Sequence, residues 1–288
     1  MSTVKLTECP RDAMQGIKEF IPTEKKINYL NQLLKCNFDV LDFGSFVSPK
    51  SIPQMRDTKE VLAKLDLSNS QTKLLAIIAN ERGAEEAILF NEIDYLGFPF
   101  SLSETFQQKN THTSISEAFK KLEYIQNISQ KANKELVVYL SMGFGNPYGD
   151  EWNSEIVISW SEKLHKKLGV RILALSDTIG SAEPKLVTDL FQQLIPSLPE
   201  VEFGAHLHTL PQNASQLIEA AYLSGCRRFD GAIKGFGGCP MAKDELTGNM
   251  PTELILEYMK SKDIETNINE NAFQMSYEMA NIVFSNQK

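Results

Sequence analysis

VRILALSDTIGSAEPKLVTDLFQQLIPSLPEVEFGAHLHT, residues 170–209, decides how the chain is read. It opens on an apolar run, 170–177, of the length expected of a strand buried on both faces, and closes on a second such run, 201–209. Between them the apolar residues take helical spacing. Pro184 sits early in that segment, where a missing amide breaks no hydrogen bond. The unit is strand, helix, strand, and the second strand ends on a pair of histidines.

The same alternation runs through the whole chain, with further strand candidates at 4–9, 38–45, 72–80, 93–101, 136–144 and 228–233. Start and stop signals frame the intervening helices. Thr23-Glu24 precedes Ile27, Leu30, Leu33 and Leu34 on one face, and Ser114 with Glu117 forms a capping box. Gly169 and Gly225 fall just past helix ends. Eight such units predict an α/β fold, a (β/α)₈ TIM barrel occupying 1–288 as one catalytic domain, with a doubly wound open sheet as the competing architecture. Phe273, Tyr277, Met279, Ile282 and Val283 give 264–288 the pattern of an added C-terminal helix.

The composition, 42% hydrophobic and 23% charged over 288 residues, excludes disordered, collagenous and coiled-coil classes. A net charge of −8, from 29 basic and 37 acidic residues, gives no reason to expect nucleic acid or an anionic membrane as partner. An anionic substrate would need a locally basic pocket. No apolar run approaches the roughly 20 residues that cross a bilayer. Cys9, Cys36, Cys226 and Cys239 are widely spaced, and no basic and apolar leader opens the chain, so free thiols in a reducing cytoplasm are expected.

Functional groups of a parallel barrel stand at the C-terminal ends of its strands, and polar residues gather there in this chain. The first strand leads to Arg11-Asp12, the second to Asp42 and Ser45, the fifth to Tyr139 and Ser141, the sixth to Asp177-Thr178. Any one of these could be a loop cap; together they point to a site. His206 and His208, two apart on a strand, project to one face and can share a divalent ion. Oxygen donors must complete such a set, and Asp12 lies two strand positions away in cyclic order. Nitrogen and oxygen donors suit Mg, Mn, Co or Zn. Gly235-Phe236-Gly237-Gly238-Cys239-Pro240 is either a permissive turn or a lid loop that carries Cys239 to the reacting centre. The segment 45–55, rich in serine with Lys50, either caps the following helix or holds an anionic or carbonyl group.

Pro10-Arg11-Asp12 with Gln15, Ser45 to Lys50, Pro53-Gln54-Met55, Ser103-Glu104 with Lys109-Asn110, Ser176 to Gly180, His206-x-His208 and the Gly235–Pro240 loop together resemble 3-hydroxy-3-methylglutaryl-CoA lyase. The resemblance spans residue 4 to about 260. It implies metal-dependent cleavage of 3-hydroxy-3-methylglutaryl-CoA, an acyl-CoA substrate, into acetyl-CoA and acetoacetate, a reaction of leucine catabolism. It implies Asp12, His206, His208 and Asn249 as ligands of Mg or Mn, Arg11 as the cation facing the substrate oxygen, and Cys239 as an active-site thiol. Asp12 or His206 would also mediate proton transfer. Arg11, Gln15, Asp42, Ser45, Tyr139, Ser141, Asp177 and Thr178 are the expected substrate contacts, and a homodimer is the expected assembly.

Three positions depart from the family pattern. Asp42 stands where Glu is common, Thr209 replaces an Asp after the second histidine, and the loop from Cys239 to Asn249 is a residue longer with Asp244 and Glu245. A related aldolase or Claisen-type synthase acting on a 2-oxo acid or another hydroxyacyl-CoA is the competing enzyme reading, and a barrel that binds ligand without turnover is the third.

Overall fold

The computed structural model describes residues 4–238 and 247–284. The strands are β1 (Lys5–Glu8), β2 (Val40–Ser45), β3 (Lys73–Ile77), β4 (Ile93–Ser101), β5 (Glu135–Ser141), β6 (Ile172–Asp177), β7 (Glu202–Thr209) and β8 (Arg228–Gly231). Each pairs in parallel with the next, and β8 pairs with β1 through Lys5↔Arg228 to Glu8↔Gly231, so the sheet closes. Closure removes both sheet edges and decides against the open doubly wound alternative. A two-residue strand that the sequence did not suggest, β9 (Gly248–Asn249), runs antiparallel to the end of β7.

The helices are α1 (Pro10–Gln15), α2 (Thr23–Leu33), α3 (Thr58–Leu62), α4 (Glu81–Ala87), α5 (Glu104–Thr111), α6 (Ile115–Lys131), α7 (Ser154–Leu168), α8 (Pro184–Ser197), α9 (Ala214–Leu223), α10 (Thr252–Ser261) and α11 (Glu270–Val283). Local chemistry explains several starts. Asn80, Ser103, Asn153 and Asn269 accept from the backbone three residues on, and Ser114 with Glu117 completes the expected capping box. Each such cap is worth about 1 kcal/mol. Gly169 ends α7 in the left-handed conformation, φ 71°.

Strand side chains divide by parity. One set packs outward with the helices in the main core, including Leu6, Leu41, Leu74, Leu96 and Leu173. The other set, among them Val40, Leu75, Val137 and Ala174, fills the barrel. Gly97 makes room there, since a Cβ would come 2.5 Å from Ile77 Cδ1. The barrel interior is also polar on one side: buried Arg228 lies against Gly204 and bonds Glu202 at 3.1 Å. On the outside, α11 packs on α2. Tyr29 meets Phe284 edge-on at 5.8 Å, and Gln32 donates to the Ala272 carbonyl at 3.1 Å.

Candidate active site

Pro10 turns the chain helical directly after Cys9, so Arg11 and Asp12 stand on the first turn of α1 and not at the end of a strand. The fixed φ of proline suits that position. Arg11 bridges two elements. Its Nε and Nη2 lie 2.9 and 2.5 Å from Asp42 Oδ2 on β2, and its Nη1 lies 2.9 Å from both Asp12 Oδ1 and Gln15 Oε1. All this is buried. Burial works against charging the Arg11 guanidinium, but Asp42 and Asp12 outweigh it and raise its pKa. Burial wins at Asp42, which is pushed up to about 6 despite Arg11. At Asp12 it loses: the guanidinium and both imidazoles hold that carboxylate well below its usual range.

Asp12 has one oxygen committed and one not. Oδ1 accepts from Arg11 and Gln15, whereas buried Oδ2 has no hydrogen-bond partner among the described residues and faces His208 Nε2 at 3.6 Å and His206 Nε2 at 4.0 Å. Neither ring nitrogen of His208 has a hydrogen-bond partner among the described residues. Leaving such atoms bare costs about 1–3 kcal/mol each. Ligand atoms of Asp12, His206 and His208 lie within 4.8 Å of one another, so a divalent cation fits the donor set and would satisfy it.

His206 is held from behind. Its Nδ1 lies 3.2 Å from Asp230 Oδ2, and the ring of Tyr139 meets it edge-on at 5.2 Å. A proton on Nδ1 donates to the carboxylate and leaves Nε2 to ligate. Burial lowers the His206 pKa, but Asp230 and Asp12 raise it further and set the direction upward. Asp230 was not among the expected residues. Its signal in the sequence is an acid within an apolar strand, and only the register His206↔Asp230 between β7 and β8 shows what it serves. Cys9 lies in the same group, where burial and then Asp230 push the thiol well above its ordinary value.

Arg11, Asp12 and the two histidines floor a cavity of about 300 Å³ above the strand ends. Arg11, Asp12, Gln15, Tyr139, Ser141, Thr178 and both histidines line it, and Ser176, Asn110 and Thr111 join them. Three expected substrate contacts do not line it. Asp177 accepts from the backbone of Ser181 at 3.0 Å and Ala182 at 2.7 Å, holding the loop after β6. Ser45 accepts from Val47 N at 3.1 Å and caps its own loop. Asp42 reaches the cavity only through Arg11. Asn249 sits on β9 opposite His208, its Nδ2 donating to the Phe236 carbonyl at 2.9 Å, and Gly238 lines the cavity. Cys239, the expected thiol, lies outside the described residues.

Comparison with known proteins gives this geometry its relatives. The HMGL-like family model matches residues 4–282. A hydroxymethylglutaryl-CoA lyase of Bacillus subtilis is 37% identical over 259 residues, covering 90% of this chain and 85% of that protein. The crystal structure of the HMG-CoA lyase of B. subtilis superposes with a TM-score of 0.92 at 33% identity, covering 99% of this chain and 95% of that one. An HMG-CoA lyase of Acinetobacter baumannii, in complex with coenzyme A and 3-methylmalate, superposes with a TM-score of 0.89 at 29% identity over 98% and 92% of the two chains. With a closed parallel barrel, an Arg-Asp pair on its first helix and a His-x-His pair on its seventh strand, the chain belongs to the HMGL-like family.

Proposed function

We propose that this enzyme is a carbon-carbon lyase that cleaves 3-hydroxy-3-methylglutaryl-CoA into acetyl-CoA and acetoacetate. The observation that carries the reading is the convergence of Asp12, His206 and His208 beside a buried arginine at the floor of one cavity. The reaction removes the proton of the tertiary hydroxyl, breaks the bond between that carbon and the carbon next to the thioester, and protonates the acetyl-CoA enolate left behind. Each step has a group on this chain to serve it.

Asp12, His206, His208 and Asn249 would hold the divalent cation, Mg or Mn, which when bound supplies a Lewis acid for the substrate oxygens. Arg11 supports the developing enolate. Its Nε and Nη2 meet Asp42 and its Nη1 meets Asp12 and Gln15, leaving one Nη2 hydrogen for the thioester oxygen. The protein fixes that donor before substrate arrives, so no reorganisation is needed at the transition state. His206, its ring fixed by Asp230, or Asp12 takes the hydroxyl proton. Ser141 and Thr178 orient the acyl group across the cavity, and Cys239 serves as the acid or as the contact that closes the loop.

Protein stripped of metal and then given Mg or Mn should release acetoacetate and acetyl-CoA in equal amounts from the CoA ester. No product with either metal, or faster turnover of 2-oxo acids, would overturn the assignment. No helix among the described residues is long and apolar enough to cross a membrane. Cys9, Cys36 and Cys226 are free, which supports the cytoplasm as the proposed location. The proposed homodimer is read by sedimentation.

A further inference from the structure

The turn that follows β8 is fastened to the outside of the barrel. Lys234 adopts a left-handed backbone conformation, φ 62°, that side chains other than glycine rarely take. Two helices, α10 of the barrel's outer ring and the appended α11, hold it there. Its N–H donates to Glu253 on α10 at 2.9 Å, and its Nζ lies 3.4 Å from the ring centre of Tyr277 on α11. Two residues on, the ring of Phe236 stacks on Phe284 at the end of α11, centres 4.6 Å apart. The carbonyl of that same Phe236 accepts from Asn249 Nδ2. With its nitrogen donating there, the Asn249 amide oxygen accepts from no described residue, and opposite pairing with His208 puts both side chains on one face.

We propose that Phe284 and Tyr277, on the helix appended to the barrel, are positioning residues for the metal site. They fix the Lys234–Phe236 turn, and the turn aims the Asn249 amide oxygen. The space allows little play. A Cβ on Gly237 would come 2.8 Å from Asn249 Nδ2 and equally close to the Asp12 carbonyl, so a displaced turn moves the amide relative to Asp12. The inference rests on the reading of Asn249 as a ligand.

Electron paramagnetic resonance titration of the metal-free full chain with Mn²⁺ tests it without turnover. Asn249→Ala should weaken binding, and Phe284→Ala should weaken it by about tenfold, in the range seen when partners of metal ligands are removed. Combining the two should weaken binding no further than Asn249→Ala does. Tyr277→Leu, at a half-buried position that tolerates the change, should act in the same direction and keeps the test available if Phe284→Ala does not fold. Phe119→Leu is the control. It lies on α6 and packs on Trp160 of α7, away from the turn, and should lower thermal stability while leaving Mn²⁺ affinity unchanged. Unchanged binding in Phe284→Ala and Tyr277→Leu, with Asn249→Ala weakened, would overturn the positioning role alone. Unchanged binding in Asn249→Ala would overturn the ligand reading and the inference with it.

Discussion

Asp230 Oδ2 lies 3.2 Å from His206 Nδ1, at the point where β7 and β8 pair, and its other oxygen is buried with no hydrogen-bond partner among the described residues. The pair fixes which ring nitrogen carries the proton, so Nε2 is presented to Asp12 and His208. Asp230→Asn keeps the shape but replaces a carboxylate acceptor with an amide. Activity at limiting metal should fall about 10- to 100-fold, with partial recovery as metal is raised. A metal titration followed by initial rates reads both effects. Equal loss at all metal concentrations would point away from ligand orientation.

Asp12→Ala and His206→Ala should each abolish turnover while leaving the barrel folded. Loss of at least about a thousandfold is expected, the equivalent of several kcal/mol of transition-state stabilisation. Circular dichroism and thermal midpoint check folding. Neither residue packs the main apolar core; Asp12→Ala removes one of the two buried carboxylates on Arg11 and should lower the midpoint, with Asp42 left to hold the guanidinium and the barrel still folded. Wild-type rates in either variant would remove the metal assignment.

Arg11→Gln tests electrostatics and catalysis together. The substitution leaves Asp42 buried beside a neutral group, and breaking a buried ion pair typically costs about 3–5 kcal/mol. Asp42 already sits at about 6 with Arg11 present, pushed up by burial. Its folded value exceeds the unfolded one, so the carboxyl favours folding when protonated and loses that advantage as pH rises through the folded value. Without Arg11 the folded value rises further. Denaturant unfolding should therefore show a large deficit at pH about 8 that shrinks at pH about 5. A deficit independent of pH would show that Asp42 is not its source.

Much of this was legible in the residues, and parity marks where legibility stopped. The strand at 93–101 coincides with Ile93–Ser101, and the others agree to within a few residues, because buried parallel strands are short apolar runs framed by helices. His206 and His208 were readable because a spacing of two puts side chains on one face. The same rule applied to Ser176-Asp177-Thr178 gives the opposite result for Asp177. Ser176 pairs with His206 and faces the cavity, so Asp177 faces away and holds its loop. Asp230, the clamp on Lys234 and Phe236, and β9 depend on register and on contacts far apart in the chain, which no local pattern carries.

Glu8 offers a stability test at a group outside the proposed metal-ligand set. It ends β1, accepting from Ile233 N at 2.9 Å and pairing with the Thr252 hydroxyl at 2.6 Å, so it ties the barrel to the start of the turn and to α10. Burial raises its pKa from 4.5 to about 8, more than those two hydrogen bonds lower it. Between these values the folded chain holds a proton that the unfolded chain has released. The stabilisation is complete below the unfolded value and is lost as pH rises through the folded one, at about 1.4 kcal/mol per pH unit. Glu8→Gln mimics the neutral acid, with an oxygen for Ile233 N and an amide for the Thr252 hydroxyl. Its thermal midpoint should match wild type at pH about 5 and exceed it at pH about 9. Parallel profiles for the two proteins would mean that Glu8 is ionised throughout and that its hydrogen bonds outweigh its burial.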